Sequence, residues 1–157
     1  MSNSSRGSDV GKKINGRGRH PLADTLGLVL DVLVTPASTT DRDAARILLP
    51  AGKERFRRLA RVWTDGGYTG HLTDWGGPAS GVALDIVRRS GDAQGFQALP
   101  RRWAVERSFA WLLRGRRLVR DCERRTDTGE STVLWSVTTL MSRRLAARHQ
   151  LGPARAA

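Results

Sequence analysis

The hydrophobic pattern of this chain changes from strand-like to helical at about Leu99, and this change limits the folds that it can adopt. Residues 26–34 are rich in leucine and β-branched side chains, and a short turn separates them from residues 17–23. This arrangement is typical of a β-hairpin. Residues 61–64 and 82–87 have the composition of two further strands. The first half of the chain is therefore expected to supply a β-sheet.

A first helix is expected between these strands. The segment from Thr40 to Asp43 has the form of a capping box, in which Asp41 and Asp43 are cap residues. The apolar spacing that follows predicts a helix that ends before Pro50, with residues 54–61 as a second, short exposed helix.

Two longer helices are expected near the carboxyl terminus. One follows Pro100, where apolar residues recur at helical spacing, and the other begins at Asp127, which forms a cap pair with Glu130. Strands that precede and alternate with helices predict a mixed α/β fold, with one sheet and helices packed against it.

The net charge favours a polyanionic partner. The chain has 27 Lys and Arg residues against 15 Asp and Glu residues, which gives a formal net charge of +12. Its lysines are Lys12, Lys13 and Lys53, so 24 of the 27 cations are arginines. Because the planar guanidinium suits phosphate, we expect contact with nucleic acid. A codon bias toward arginine is the alternative explanation of this composition.

Several classes of protein are excluded. Cys122 is the only cysteine, so no internal disulfide can form. The longest apolar stretch, residues 26–34, is far shorter than the ~20 residues of a transmembrane helix. Residues 1–13 lack the apolar core of a secretory signal. These features predict a soluble protein of the bacterial cytoplasm with no membrane partner.

The composition also predicts how the chain is divided. Residues 1–17 are polar and basic and are expected to form a disordered arm. Residues 18–150 are expected to form one α/β domain, and residues 151–157 a disordered tail.

Asp65 and Glu106 are the two acidic residues with unusual positions. Asp65 ends an apolar strand and precedes Gly66 and Gly67, which let a ligand approach closely; an ordinary turn is the alternative. On a helical wheel Glu106 lies on the apolar side and is expected to point into the core. An ion pair with Arg102 is one explanation of a charged residue on that side. A metal-binding or acid-base role for Glu106 is favoured over this ion pair.

The densest run of cations surrounds Glu106. A solvated helix face is the simplest interpretation, but so many arginines repel one another without a counter-anion, which favours contact with phosphates. The run consists of Arg101, Arg102, Arg107, Arg114, Arg116, Arg117, Arg120, Arg124 and Arg125.

Three blocks carry a resemblance to a known family. They are GKKINGRGRH at residues 11–20 with DTLGL at 24–28, WTDGGY at residues 63–68, and RRWAVERSFAWL at residues 101–112. Their order and spacing over about residues 9–145 resemble insertion-sequence transposases of the four/five group.

The resemblance implies a fold, a site and a partner. The fold is a ribonuclease-H-like mixed sheet with flanking helices, in which an Asp, Asp, Glu triad binds two Mg²⁺ or Mn²⁺ ions. Asp65 matches the second Asp and Glu106 the Glu, as catalytic and metal-binding residues. The partner is double-stranded DNA, at insertion-sequence ends and target, and a homo-oligomer is compatible with this activity. The expected DNA-binding residues are Lys12, Lys13, Arg17, Arg19, Arg101, Arg102, Arg107, Arg114, Arg116 and Arg117.

The sequence departs from the family pattern at three places. Leu99 and Leu113 stand where the family has Tyr and Lys. The first Asp belongs to an opening strand upstream of Gly11, so the resemblance implies an incomplete sheet and a truncated transposase. Asp24 and Asp31 are weak candidates to replace that first Asp. A non-catalytic nucleic-acid-binding remnant and a small basic RNA-binding protein are the alternative functions.

Overall fold

The computed structural model describes residues 6–9, 11, 13–68, 71–87, 102–120 and 122–150. The fold is mixed α/β, as the sequence predicts. In chain order the elements are β1 (Gly7–Asp9), β2 (Ile14–Ala23), β3 (Val29–Pro36), α1 (Asp41–Arg55), β4 (Arg61–Thr64), a 3₁₀ turn (Gly66–Tyr68), α2 (His71–Ser80), β5 (Ala83–Ile86), α3 (Arg102–Leu112), α4 (Arg116–Val119) and α5 (Thr126–Gln150).

The first sheet is antiparallel and has the strand order β1-β2-β3. The predicted hairpin is confirmed as β2 and β3, paired from Arg17 with Pro36 to Ala23 with Val29. The prediction of a disordered arm is wrong for residues 7–9 and 14–17, because β1 pairs with the start of β2. Backbone pairing needs no apolar side chains, so the polar composition concealed these strands.

Asp24 builds the turn that joins β2 to β3. Its carboxylate Oδ1 accepts the backbone N–H groups of Leu26 and Leu28, each at 2.8 Å, and its carbonyl oxygen accepts the N–H of Gly27 at 3.0 Å. Gly27 has a φ of +79°, which a glycine adopts at no steric cost. Asp24 is therefore a turn residue.

The second sheet consists of β4 and β5, which are parallel. Both strands lie where the sequence predicts them, and α2 provides the crossover that a parallel pair requires. Val62 and Leu84 from this sheet pack against the buried side chains of Ala45 and Leu49 from α1. Among the described strands, pairing joins β4 only to β5, so these strands form two sheets and not the single sheet that the sequence predicts.

Helix α1 is longer than predicted, and the prediction of a separate short helix over residues 54–61 is wrong, because residues 56–60 are not helical and β4 begins at Arg61. Thr40 caps it by accepting the N–H of Asp43, as expected, but the helix continues through Pro50 to Arg55. An internal proline costs about 3 kcal/mol because it removes one backbone hydrogen bond. Leu48, Leu49 and Gly52 are buried on either side of it. Packing of this face therefore outweighs the cost of the proline.

The main hydrophobic core lies between β3 and α5. Val29 and Val32 pack there with Leu112, Leu118, Val133 and Val137. The predicted cap pair of Asp127 and Glu130 is wrong, because α5 begins at Thr126 and the Glu130 carboxylate accepts the backbone N–H of Val34 at 2.9 Å. None of the helices in the described part of the chain is long and apolar enough to cross a membrane.

Asp31 is a buried acid in the centre of β3. It is 6% exposed and accepts the N–H of Val32 at 2.9 Å. The Arg55 guanidinium at the end of α1 lies 3.0 Å from its carboxylate. Asp31 therefore joins α1 to the first sheet.

Candidate functional site

A cavity of about 470 Å³ lies between the two sheets. Strands β2, β4 and β5 and helices α1 and α3 all contribute to its lining. Three acidic residues line it: Asp41 from the start of α1, Asp65 from the end of β4 and Glu106 from α3. The two residues that the sequence nominated are therefore brought to one cavity from distant parts of the chain.

Asp65 has an exposed side chain fixed by the turn that follows it. Its carboxylate Oδ1 accepts the N–H of Gly67 at 3.0 Å, and its carbonyl oxygen accepts the N–H of Tyr68 at 3.2 Å. The residue before it, Thr64, has a buried hydroxyl with no hydrogen-bond partner among the described residues. A buried hydroxyl of this kind usually has a partner, so it marks the wall of the cavity as a place where a polar ligand fits.

Glu106 is exposed, so the prediction that its carboxylate points into the core is wrong. The buried residues of α3 are Ala104, Ser108 and Leu112, each four positions from the next, whereas Trp103 is 43% exposed. At 100° per residue, Glu106 lies on the side opposite Ala104 and Ser108. It faces the cavity because the helix packs through its small residues and leaves larger apolar ones outside.

The packing of α3 depends on a close backbone contact with the β2–β3 turn. The Ser108 hydroxyl donates to the carbonyl oxygen of Gly27 at 2.7 Å, and a Cβ added at Gly27 would lie 2.7 Å from the Ala104 carbonyl oxygen. The two small residues Ala104 and Ser108, spaced four positions apart on one face of α3, are the sequence signal that could have indicated this contact. Glu106 therefore owes its position to a glycine and two small residues.

The described part of the chain contains no large cluster of metal-binding side chains. Among the described residues, no group of three or more His, Cys, Asp or Glu side chains could hold a metal ion. Asp24 and Asp31, considered as replacements for a first Asp, are engaged in the hairpin turn and with Arg55 and do not line the cavity. The carboxylates of Asp65 and Glu106 are of the ligand type that Mg²⁺ takes, which usually binds one or two carboxylates together with waters and substrate phosphates.

Tyr68 is a residue of the cavity that the sequence did not suggest. Burial, together with the nearby charges of Asp41 and Asp65, raises the pKa of its phenol to about 12 from 10.0. It packs against Ala45 and Leu49 while its ring lines the cavity. Its place at the end of the WTDGGY block, three residues after Asp65, is the sequence signal that could have indicated it.

We expect stability to fall between pH 10 and pH 12 because of Tyr68. The phenol of the unfolded chain loses its proton near pH 10, whereas the folded chain retains it until about pH 12. The unfolded state is therefore favoured progressively across this interval. Tyr68 is the only tyrosine, so phenolate absorbance near 295 nm follows it alone. A midpoint near pH 10 in the folded protein would contradict the prediction, and Tyr68→Phe should flatten the decline in stability.

The predicted DNA-binding residues are dispersed. Arg17 donates to the carbonyl oxygens of Glu123 and Arg124 at 2.6 and 2.7 Å, and Arg19 donates to that of Leu118 at 2.5 Å. These two guanidinium groups tie β2 to the segment around α4. Lys12 and Arg101 lie outside the described residues, as does the side chain of Arg102.

The other predicted cations lie on the surface. Lys13, Arg114 and Arg116 are exposed, and Arg117 is paired with Glu123. This pairing lowers the pKa of Glu123.

Arg107 is stacked between two tryptophans of its own helix. Its guanidinium carbon lies 4.4 Å from the ring centre of Trp103 and 5.6 Å from that of Trp111. Arg144 from α5 covers Trp111 at 3.9 Å. Stacking on the tryptophan rings restrains the Arg107 guanidinium, and the N–H groups at the edge of this planar group can still donate hydrogen bonds.

A second cleft of about 470 Å³ is basic. Arg6, Arg17, Arg19 and Arg120 line it with Phe109. Arg6 was not among the predicted DNA-binding residues, although Lys12, Lys13 and Arg17 of the same segment were. Phe109 lines both this cleft and the acidic cavity, so the two are neighbours.

Comparison with known proteins identifies the family. A family model described as a transposase DDE domain matches residues 2–141. No curated protein and no solved structure matches the chain. The mixed α/β architecture is consistent with a ribonuclease-H-like domain of this kind. Because the match covers most of the chain, including Asp65 and Glu106, the chain belongs to the transposase DDE domain family.

Proposed function

We propose that this protein is an insertion-sequence transposase of the four/five group that cuts and joins double-stranded DNA with the aid of Mg²⁺ or Mn²⁺. The observation that carries the proposal is the presence of Asp65 and Glu106 in the lining of one cavity. Transposases act on DNA, and their family generally uses divalent metal ions.

Asp65 and Glu106 are the residues that would hold the metal ions. Carboxylate oxygens are hard ligands of the type that Mg²⁺ prefers, and a bound ion supplies activation of an attacking hydroxyl and stabilisation of the leaving oxygen. The hydrogen bond from Gly67 orients the Asp65 carboxylate. The contact between Gly27 and α3 orients the helix that carries Glu106.

Arginines supply the surface for the phosphate backbone. The basic cleft adjoins the cavity through Phe109, so a duplex bound along the cleft would pass close to the two carboxylates. Arg6 and Arg120 are the cleft residues best suited to phosphate, since Arg17 and Arg19 already donate to carbonyl oxygens. Such contacts position DNA without reading its sequence.

Calorimetric titration with Mn²⁺ tests this proposal. We compare the parent with Asp65→Asn and Glu106→Gln, which remove one charge each with little change of shape. Asp74→Asn is the matched control, because Asp74 is exposed on α2 and does not line the cavity. We expect each of the first two variants to abolish Mn²⁺ binding and Mn²⁺-dependent nicking of supercoiled DNA, with the control unchanged. Equal binding by all four folded proteins would reject the site.

A non-catalytic DNA-binding role is the second candidate. It is favoured because no group of three or more His, Cys, Asp or Glu side chains among the described residues could hold a metal ion. A folded chain that binds duplex DNA but no Mn²⁺ would support this role over the catalytic one.

A further inference from the structure

His20 is held on both sides in the wall of the acidic cavity. Its Nδ1 lies 3.1 Å from the Asp41 carboxylate, and its Nε2 lies 2.9 Å from the Thr35 hydroxyl. The His20 side chain is 9% exposed, whereas that of Asp41 is 63% exposed. A nearly buried ring on β2 therefore contacts a solvent-facing acid at the start of α1.

The position of the ring depends on a missing side chain. A Cβ on Gly18 would lie 2.9 Å from Nε2 of His20 and 3.4 Å from the Thr35 hydroxyl oxygen. Any other residue at position 18 would thus crowd the imidazole. Gly18 provides the space in which His20 and Thr35 meet.

The Thr35 hydroxyl can form a hydrogen bond with Nε2 of His20 whether or not this nitrogen carries a proton. Its hydroxyl oxygen lies 3.2 Å from the carbonyl oxygen of Pro36, which it can donate to. When Nε2 carries a proton, Nε2 donates to Thr35 and the hydroxyl donates to Pro36. When Nε2 has no proton, the hydroxyl rotates and donates to Nε2. In both states Nδ1 can donate to Asp41, so the ring can gain or lose a proton without moving.

We propose that His20 is a positioning residue that holds the Asp41 carboxylate at the cavity, and that its second proton strengthens this hold by turning a hydrogen bond into an ion pair. The inference about the cavity rests on the proposed function. Asp41 was interpreted from the sequence as a helix cap residue, and the structure adds its contact with His20.

The ionisable residues that line the cavity with His20 are mostly acidic. They are Asp41 on α1, Asp65 after β4, Tyr68 on the 3₁₀ turn, Glu106 on α3 and Arg19 on the same strand as His20. Histidine is the side chain whose unperturbed titration lies nearest neutral pH, so we expect a change of charge in this wall between pH 6 and pH 8 to arise at His20.

Nitrogen NMR of the histidine rings tests the contact directly. We follow the titration of His20 in the full chain and in Asp41→Asn, with Asp43→Asn as the matched control, since Asp43 lies in the same turn of α1 and bonds to Thr40. The exposed ring of His149 is an internal reference. We expect Asp41→Asn to move the His20 midpoint to lower pH and Asp43→Asn to leave it unchanged. An unchanged midpoint in Asp41→Asn, with the fold intact by circular dichroism, would overturn the inference.

A second measurement connects His20 to the cavity. Loss of its proton leaves the wall more negative, so Mn²⁺ affinity should rise between pH 6 and pH 8 in the parent and rise less in His20→Gln. An equal rise in both would overturn the role at the cavity. If no Mn²⁺ binds to the parent, the proposed function fails, and the NMR titration decides the contact of His20 with Asp41 independently.

Discussion

Gly27→Ala is expected to destabilise the protein by about 3 kcal/mol. The residue has a φ of +79°, where an L side chain costs about 1–2 kcal/mol. The added Cβ would lie 2.7 Å from the Ala104 carbonyl oxygen, which belongs to the helix backbone and cannot rotate away. The β2–β3 turn and α3 must therefore separate.

This substitution is also expected to disturb the cavity. Separation of α3 from the turn lengthens the bond from Ser108 to the Gly27 carbonyl oxygen, and Glu106 lies on the same helix. We therefore expect weaker Mn²⁺ binding in Gly27→Ala even at temperatures where the variant is folded.

Urea denaturation with Gly16→Ala as control measures the effect. Gly16 lies in β2, and a Cβ there would meet no atom within 4 Å. Alanine at Gly16 should be neutral or stabilise the chain by up to about 1 kcal/mol, because it restricts the unfolded state. Equal unfolding midpoints for Gly27→Ala and Gly16→Ala would show that the contact with Ala104 is unimportant.

Arg55→Met is expected to destabilise the protein by about 2 kcal/mol. Loss of Arg55 leaves the carboxylate of Asp31 in the interior of β3 without its cation, and breaking a fully buried pair costs about 3–5 kcal/mol. The Arg55 side chain is 60% exposed, so water compensates part of the loss. The remaining cost comes from Asp31, whose side chain is 8% exposed.

A double variant separates the cost of the unpaired charge from the value of the pair. Asp31→Val with Arg55→Met places a β-branched side chain at the buried position of β3 that faces the end of α1, and we expect stability within about 1 kcal/mol of the parent. Thermal unfolding of the parent, both single variants and the double variant completes the cycle. If the double variant were less stable than Arg55→Met alone, Asp31 would contribute through bonds other than its pair with Arg55.

Local signals in the sequence predicted much of the fold. The hairpin, both strands of the second sheet and the capping of α1 by Thr40 depend on neighbours in the chain, and all are confirmed. Asp65 and Glu106 were nominated from their positions in a strand end and a helix, and both line one cavity. Their metal-binding role stays a prediction.

Features that depend on distant contacts could not be predicted in this way. Helix α1 passes through Pro50 because its buried face packs against the rest of the fold. The orientation of α3 is set by Gly27, which lies some eighty positions earlier in the chain. Glu130 bonds to the backbone of β3, although its spacing from Asp127 suggested a local cap. In each case a tertiary contact outweighs a local preference.

The division of the strands into two sheets has a consequence for the order of folding. Ala23 pairs with Val29 across a short turn, whereas Arg61 must find Ala83 after the whole of α2 has been placed. Closing the shorter loop costs less chain entropy, so the hairpin should acquire protected amides first in pulse-labelled refolding. Strand β4, which leads into Asp65, would then gain its partner late. The arrangement of side chains around Asp65 would be among the last features of the molecule to form.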